Sequence, residues 1–150
     1  MEIKRDLYLK KLIDRQHNGM IKVITGMRRS GKSYLLFNIF IFNELLIRGF
    51  NVDVGVVPVV TKGEDGKQHR SQLEIDFVCN LGSKRYYIQS AFRMENEEKR
   101  QQEQASLLRV NDSFKKIIIT GEECLVHRNE HGFTTMSIYD FLLNSNSLEL

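Results

Sequence analysis

The spacing of apolar positions changes character three times along this chain. Ile3, Leu7, Leu12 and Ile13 recur at roughly helical spacing through a charged opening, which predicts an amphipathic helix that stops near His17, Asn18 and Gly19. Residues 20–25 are short and β-branched and predict a strand that runs straight into Gly26. Residues 32–48 then predict a helix, with Gly49 as its C-terminal cap. That helix is apolar on almost every face, through Tyr34, Leu35, Leu36, Phe37, Ile39, Phe40, Ile41, Phe42, Leu45, Leu46 and Ile47. A helix of this kind is expected to be covered on all sides. Lys32, Asn38, Asn43, Glu44 and Arg48 make it a poor membrane segment, so it reads as a core helix.

From Asn51 the period becomes two. Val52, Val54 and Val56 alternate with Asp53 and Gly55, a polar turn carries Asp65-Gly66, and Leu73, Ile75 and Phe77 are expected to share one face of the returning strand. A turn at residues 80–83 leads to a third strand over residues 85–92, completing a meander. Residues 95–109 predict a strongly polar helix and residues 116–120 a strand around Ile117, Ile118 and Ile119. A hairpin around residues 128–132 and a short helix over 139–143 are expected to close the chain.

Composition adds little to class and more to polarity. With 150 residues, 41% hydrophobic and 27% charged, the chain has the makeup of a globular domain rather than a disordered or collagen-like one. It has no run of 18 uncharged apolar residues, and its opening lacks the apolar core of a signal peptide, which predicts a cytoplasmic protein with no membrane partner. Cys79 and Cys124 are expected as two free thiols. The net charge of +3 is unevenly placed: residues 1–49 carry ten Lys+Arg against four Asp+Glu, and residues 50–150 carry twelve against fifteen. A basic first third suits a polyanionic partner, a nucleotide phosphate or DNA, and equally suits a solvated helix face at Lys4, Arg5, Lys10, Lys11 and Arg15.

The sharpest motif is Gly26-Met27-Arg28-Arg29-Ser30-Gly31-Lys32-Ser33, which fits the phosphate-loop (Walker A) pattern between a β-branched strand and a helix. Gly26 and Gly31 let the backbone wrap so that N–H groups, including those of Arg29 and Ser30, face phosphate oxygens. Lys32 reaches the β and γ phosphates, and the Ser33 hydroxyl can bind Mg²⁺. The expected ligands are therefore ATP and Mg²⁺. Hydrolysis needs an acidic site at the end of an apolar strand as well. The nearest approach is the strand ending at Thr120, with Gly121 before Glu122 and Glu123, and no catalytic residue is expected there.

A second constellation lies in the meander. Glu74 and Asp76 are expected on one face of their strand, with Gln89 and Ala91 sharing a face on the next. Carboxylates on adjacent strands followed two residues on by a lysine hold Mg²⁺ in one large nuclease fold. Here Gln89 stands in place of the second carboxylate and Ala91 in place of the lysine, so cleavage is not expected.

Taken together, Lys4-Arg5-Asp6 and the glycine loop resemble the start of the prokaryotic AAA-type ATPases that carry a C-terminal domain of unknown function. Residues 51–57, 72–78 and 86–91 are similar to that C-terminal domain, which resembles restriction-endonuclease-like folds. The resemblance implies an α/β chain in which a P-loop strand-helix unit (residues 1–49) is joined to a small mixed sheet of restriction-endonuclease-like topology (residues 50–150). Family members are several hundred residues long, which implies an internally truncated member whose two ends join near residues 48–52. The implied function is ATP binding with little or no hydrolysis, through Gly26, Arg29, Ser30, Gly31, Lys32 and Ser33, with Mg²⁺ on Ser33. The alternatives are a nuclease-like module that binds DNA without cutting it, and a structural remnant whose apolar helix pairs with a second copy as a homo-oligomer.

Overall fold

The computed structural model describes residues 14, 32–62, 68–94 and 96–150. The expected opening helix, the strand at 20–25, the loop at 26–31 and the Asp65-Gly66 turn lie outside the described residues. In chain order the elements are α1 (Lys32–Ile47), β1 (Asn51–Lys62), β2 (Gln68–Leu81), β3 (Lys84–Ala91), α2 (Glu97–Leu108), β4 (Lys115–Thr120), β5 (His127–Arg128), β6 (Thr134–Ser137) and α3 (Ile138–Leu143). A 3₁₀ turn, Ser147–Glu149, follows. The described strands make one mixed sheet in the order β1-β2-β3-β4-β6-β5.

The first three strands are the antiparallel meander that the alternation predicts. After β3 the sheet becomes mixed, as expected for residues 50–150: β4 pairs parallel to β3, with Ile88 opposite Ile117, and β6 pairs parallel to β4. A parallel neighbour needs a crossover, and the polar helix α2 supplies it. Asn96 caps α2 by accepting a hydrogen bond from the Lys99 amide at 2.8 Å, and Glu97 and Glu98 complement the helix dipole in the first turn.

Two helices cover the two faces. On one, Phe37, Ile41 and Leu45 of α1, spaced four apart, pack with Phe77, Cys79, Tyr86, Ile88, Ile117, Ile119 and Phe141. On the other, Leu107 of α2 packs with Ile75, Tyr87, Ala91, Ile118 and Phe133. A flat sheet covers only one side of a helix, so the expectation that α1 is enclosed all round fails: Phe40 is 54% exposed and Ile47 79%. The boundary expected at residue 49 falls between α1 and β1, two elements that share this first core.

The C-terminus of α1 is fixed twice. Gly49, at φ +85°, allows the Gly49 amide to reach the Leu46 carbonyl and the Phe50 amide to reach Leu45, closing the helix and turning Phe50 into the core beside Leu45. Arg48 pairs with Glu44 at 2.8 Å, donates to Ser147 Oγ at 2.9 Å and to the Phe141 and Asn144 carbonyls, and lies 4.5 Å over the Phe141 ring. α1 is thereby tied to α3 by a cation with four acceptors.

Replacing Ile41 by Ala removes a fully buried side chain between α1 and the sheet. It should lower the unfolding free energy in urea by about 2–5 kcal/mol. Ile47→Ala, on the exposed face, should stay within about 0.5 kcal/mol of the native protein. Equal losses at the two positions would contradict this assignment of faces.

Candidate functional site

The geometry that brings polar groups together begins with a defect in the sheet. Asp53 pairs with Val78 but Gly55 pairs with Ile75, so Phe77 and Asp76 together oppose Val54. This bulge reverses the alternation of β2. Phe77 faces the α1 core and Ile75 the α2 core, which corrects the expectation that Leu73, Ile75 and Phe77 share a face. Glu74 stays close enough to Asp76 for its charge to be felt there. Gly55 is required here: a Cβ on it would stand 2.8 Å from Val78 Cγ2 and 3.0 Å from Ile75 Cβ.

Asp76 has no partner in either neighbouring ladder, and its side chain substitutes for one. Its carboxylate oxygen lies 2.7 Å from the Ser90 amide and 2.6 Å from Ser90 Oγ. Ser90 Oγ is in turn 2.7 Å from Asn38 Oδ1, and the Tyr34 hydroxyl donates to the Ser90 carbonyl at 3.1 Å. Tyr34 and Asn38 are one turn apart on α1, so the first turns of that helix and the bulge meet on a single serine whose side chain is fully buried.

The electrostatics follow from burial. Burial pushes the Asp76 carboxyl up to about 6, the Ser90 side chain and amide pull it down, and Glu103 and Glu74 raise it further. Tyr34 is pushed up to about 12, first by burial and then by the Asp76 charge. A serine hydroxyl carries one proton, yet Ser90 Oγ sits within hydrogen-bonding distance of two oxygens that accept. A protonated Asp76 resolves this by donating to Ser90 Oγ, which then donates to Asn38. An ionised Asp76 accepts the hydrogen bond of the serine hydroxyl, and the Asn38 amide must then turn its NH₂ toward Ser90.

On the opposite face, Gln89 is buried and accepts from Ser106 Oγ at 3.3 Å, Ala91 is buried in the α2 core, and Glu103 pairs with Lys99 at 2.6 Å. Gln89 therefore lies across the sheet from the Ser90 hydroxyl that holds Asp76. Glu122, the acid nearest the end of β4, accepts from the Met94 amide at 3.0 Å and lines a cleft with Thr120, Glu123, Cys124 and His127. No group of three or more His, Cys, Asp or Glu among the described residues is arranged to hold a metal ion. Both cysteines are free, and burial pushes the Cys79 thiol up to about 12.

Of the phosphate-loop residues, Gly26, Arg29, Ser30 and Gly31 lie outside the described residues. Lys32 is the first residue of α1, and Ser33 is exposed in its first turn, which carries no acidic residue. The loop would therefore enter α1 one turn from Tyr34 and two from Asn38. Sequence reasoning missed Tyr34, Asn38 and Ser90 as partners of Asp76. The available signal was two hydrogen-bonding side chains at i and i+4 on an otherwise apolar helix.

No family model matches the chain, and no solved structure matches it. It is 36% identical over 106 residues to an uncharacterized protein of Haemophilus influenzae, a match that covers 70% of this chain and 22% of that protein. The chain thus spans less than a quarter of the length of this curated relative.

A carboxyl raised by folding binds its proton more tightly in the native state, so its destabilising effect is absent below the unfolded value, grows as pH rises from there to the folded one and is constant above it. The native protein should lose stability between about pH 4 and 6, by on the order of 3 kcal/mol at most. Asp76→Asn, which keeps an acceptor for Ser90, should lose none of it. Parallel urea-stability profiles for the two proteins across that window would contradict the assignment.

Proposed function

We propose that this chain binds Mg-ATP through a phosphate loop at residues 26–33 and turns it over slowly or not at all. The observation that carries the reading is the overlap of motif and helix: the described part of α1 opens at Lys32, inside the Gly26 to Ser33 motif, so the motif runs into a helix whose N-terminal dipole would favour a phosphate. The first turn has no carboxylate to oppose a phosphate. Lys32 and Ser33 would serve the β and γ phosphates and Mg²⁺, and the backbone from Gly26 to Gly31 would wrap the phosphate chain. A shortened member of the AAA-type ATPases fits this picture. The Haemophilus relative, more than four times as long as the stretch it shares with this chain, leaves room for the missing ATPase core. Weak affinity is expected, because adenine and ribose have little of a pocket without that core.

A second reading, a nuclease-like module that binds DNA without cutting it, draws on the sheet. The meander followed by a crossover helix and a parallel strand is the arrangement expected of a restriction-endonuclease-like core. Asp76 stands at its bulge, while Gln89 and Ala91, on the other face of the next strand, supply neither the acid nor the lysine that cleavage would use beside it. A third partner, a second copy of the chain, would cover Phe40 and Ile47. No described helix is long and apolar enough to cross a membrane.

Calorimetric titration with Mg-ATP should give a binding isotherm that Lys32→Ala abolishes. Absence of heat in the native protein, or equal binding by the variant, would remove the ATP reading. For the second reading, a DNA mobility shift should weaken steeply as salt is raised. A shift indifferent to salt would remove the phosphate-contact mechanism.

A further inference from the structure

We propose that Asp76 is a positioning residue for the phosphate loop: through Ser90, Asn38 and Tyr34 it clamps the first turns of α1 to the sheet and so sets where the loop's helix N-terminus points. The inference rests on the ATP-binding reading and deepens it. Its basis is the shape of the contact. Among the described residues, the apolar stripe of α1 holds the helix from Phe37 to Leu45 and Arg48 fixes its far end, and neither reaches the turn that carries Lys32 and Ser33. The described contacts that restrain that turn are polar: the Tyr34 hydroxyl on the Ser90 carbonyl and Asn38 on the Ser90 hydroxyl. Ser90 is itself held from the other side by Asp76, at 2.7 Å on its amide and 2.6 Å on its hydroxyl.

The strand geometry gives Asp76 this task. A regular β2 would pair residue 76 in the ladder, whereas the bulge releases it and aims its carboxyl at the end of β3. The groups that face it are Glu74 from its own strand, Glu103 from α2 with its ion-pair partner Lys99, and Tyr34 from α1. The position that would bind metal in a nuclease-like sheet is here engaged in an internal contact to the nucleotide-loop helix.

The test uses the full chain and reads two quantities. The first is hydrogen-exchange protection of the amides of residues 36–39 without nucleotide, and the second is Mg-ATP affinity by calorimetry. Asp76→Ala and Tyr34→Phe should each lower protection at 36–39 by about tenfold, the scale of one hydrogen bond, and leave residues 44–47 unchanged. Each should weaken Mg-ATP binding by about the same factor. Asp76→Asn, which keeps an acceptor for the Ser90 amide, should restore both values. Tyr87→Phe, which removes a 2.6 Å hydrogen bond to Asp112 on the other face, should change neither. Protection at 36–39 should also vary between pH 5 and 7 in the native protein and be flat in Asp76→Asn. If Asp76→Ala does not fold, Tyr34→Phe decides alone, since it removes one hydroxyl from a side chain already 37% exposed. Unchanged protection overturns the clamp whether or not ATP binds. Lowered protection with unchanged affinity overturns the positioning role. A native protein that gives no Mg-ATP heat overturns the ATP reading itself, independently of what exchange shows about the clamp.

Discussion

The packing of one helix on one sheet governs this molecule. α1 contributes Phe37, Ile41 and Leu45 to the larger core, and without them Phe77, Cys79, Ile88 and Ile117 would face water. Burial of that stripe is worth several kcal/mol. The remaining polar contacts, Arg48 at one end and Tyr34 with Asn38 at the other, orient the helix instead of attaching it. The same helix carries the end of the phosphate-loop motif, so whatever fixes α1 on the sheet also fixes the direction of that motif's helix N-terminus.

The bulge in β2 links the two parts. By switching Ile75 and Phe77 to opposite faces it lets one strand serve two cores, and it frees Asp76 from the ladder. A freed carboxylate at a sheet end is available for metal in an enzyme of the nuclease type. In this chain its neighbours are Ser90 and, across the sheet, a neutral Gln89 bonded to Ser106, so its raised carboxyl is answered by hydrogen bonds. Proton and serine hydroxyl become one unit, and the orientation of the Asn38 amide follows the charge on Asp76.

Much of the fold was legible because the period changes where the elements change. The alternation of Val52, Val54 and Val56, the continuous triplet Ile117-Ile118-Ile119, and the cap at Gly49 all sit in the elements they suggested. The bulge was not legible, because it depends on a two-to-one opposition across strands that no single strand's pattern displays; Gly55 was its one local trace. The mixed character of the sheet was expected from the resemblance alone; which strands pair in parallel could not be read from the strands themselves, because α2 is polar and reads as surface, with Leu107 as its fully buried anchor. The exposed face of α1 was misjudged because apolar residues all round a helix predict cover, while one sheet supplies it on one side. At the site, Asp76 was singled out as an acid of its strand, and its partners were missed because they come from a helix about forty residues upstream in the chain and from the end of the next strand.

The most direct measurement is hydrogen exchange of the full chain with and without Mg-ATP, read residue by residue. Binding at the phosphate loop as described here protects residues 26–38 and carries that protection across the Ser90 contact to the bulge at Asp76. Exchange unchanged by Mg-ATP throughout, or protection confined to the cleft around Glu122 and His127, would contradict the account.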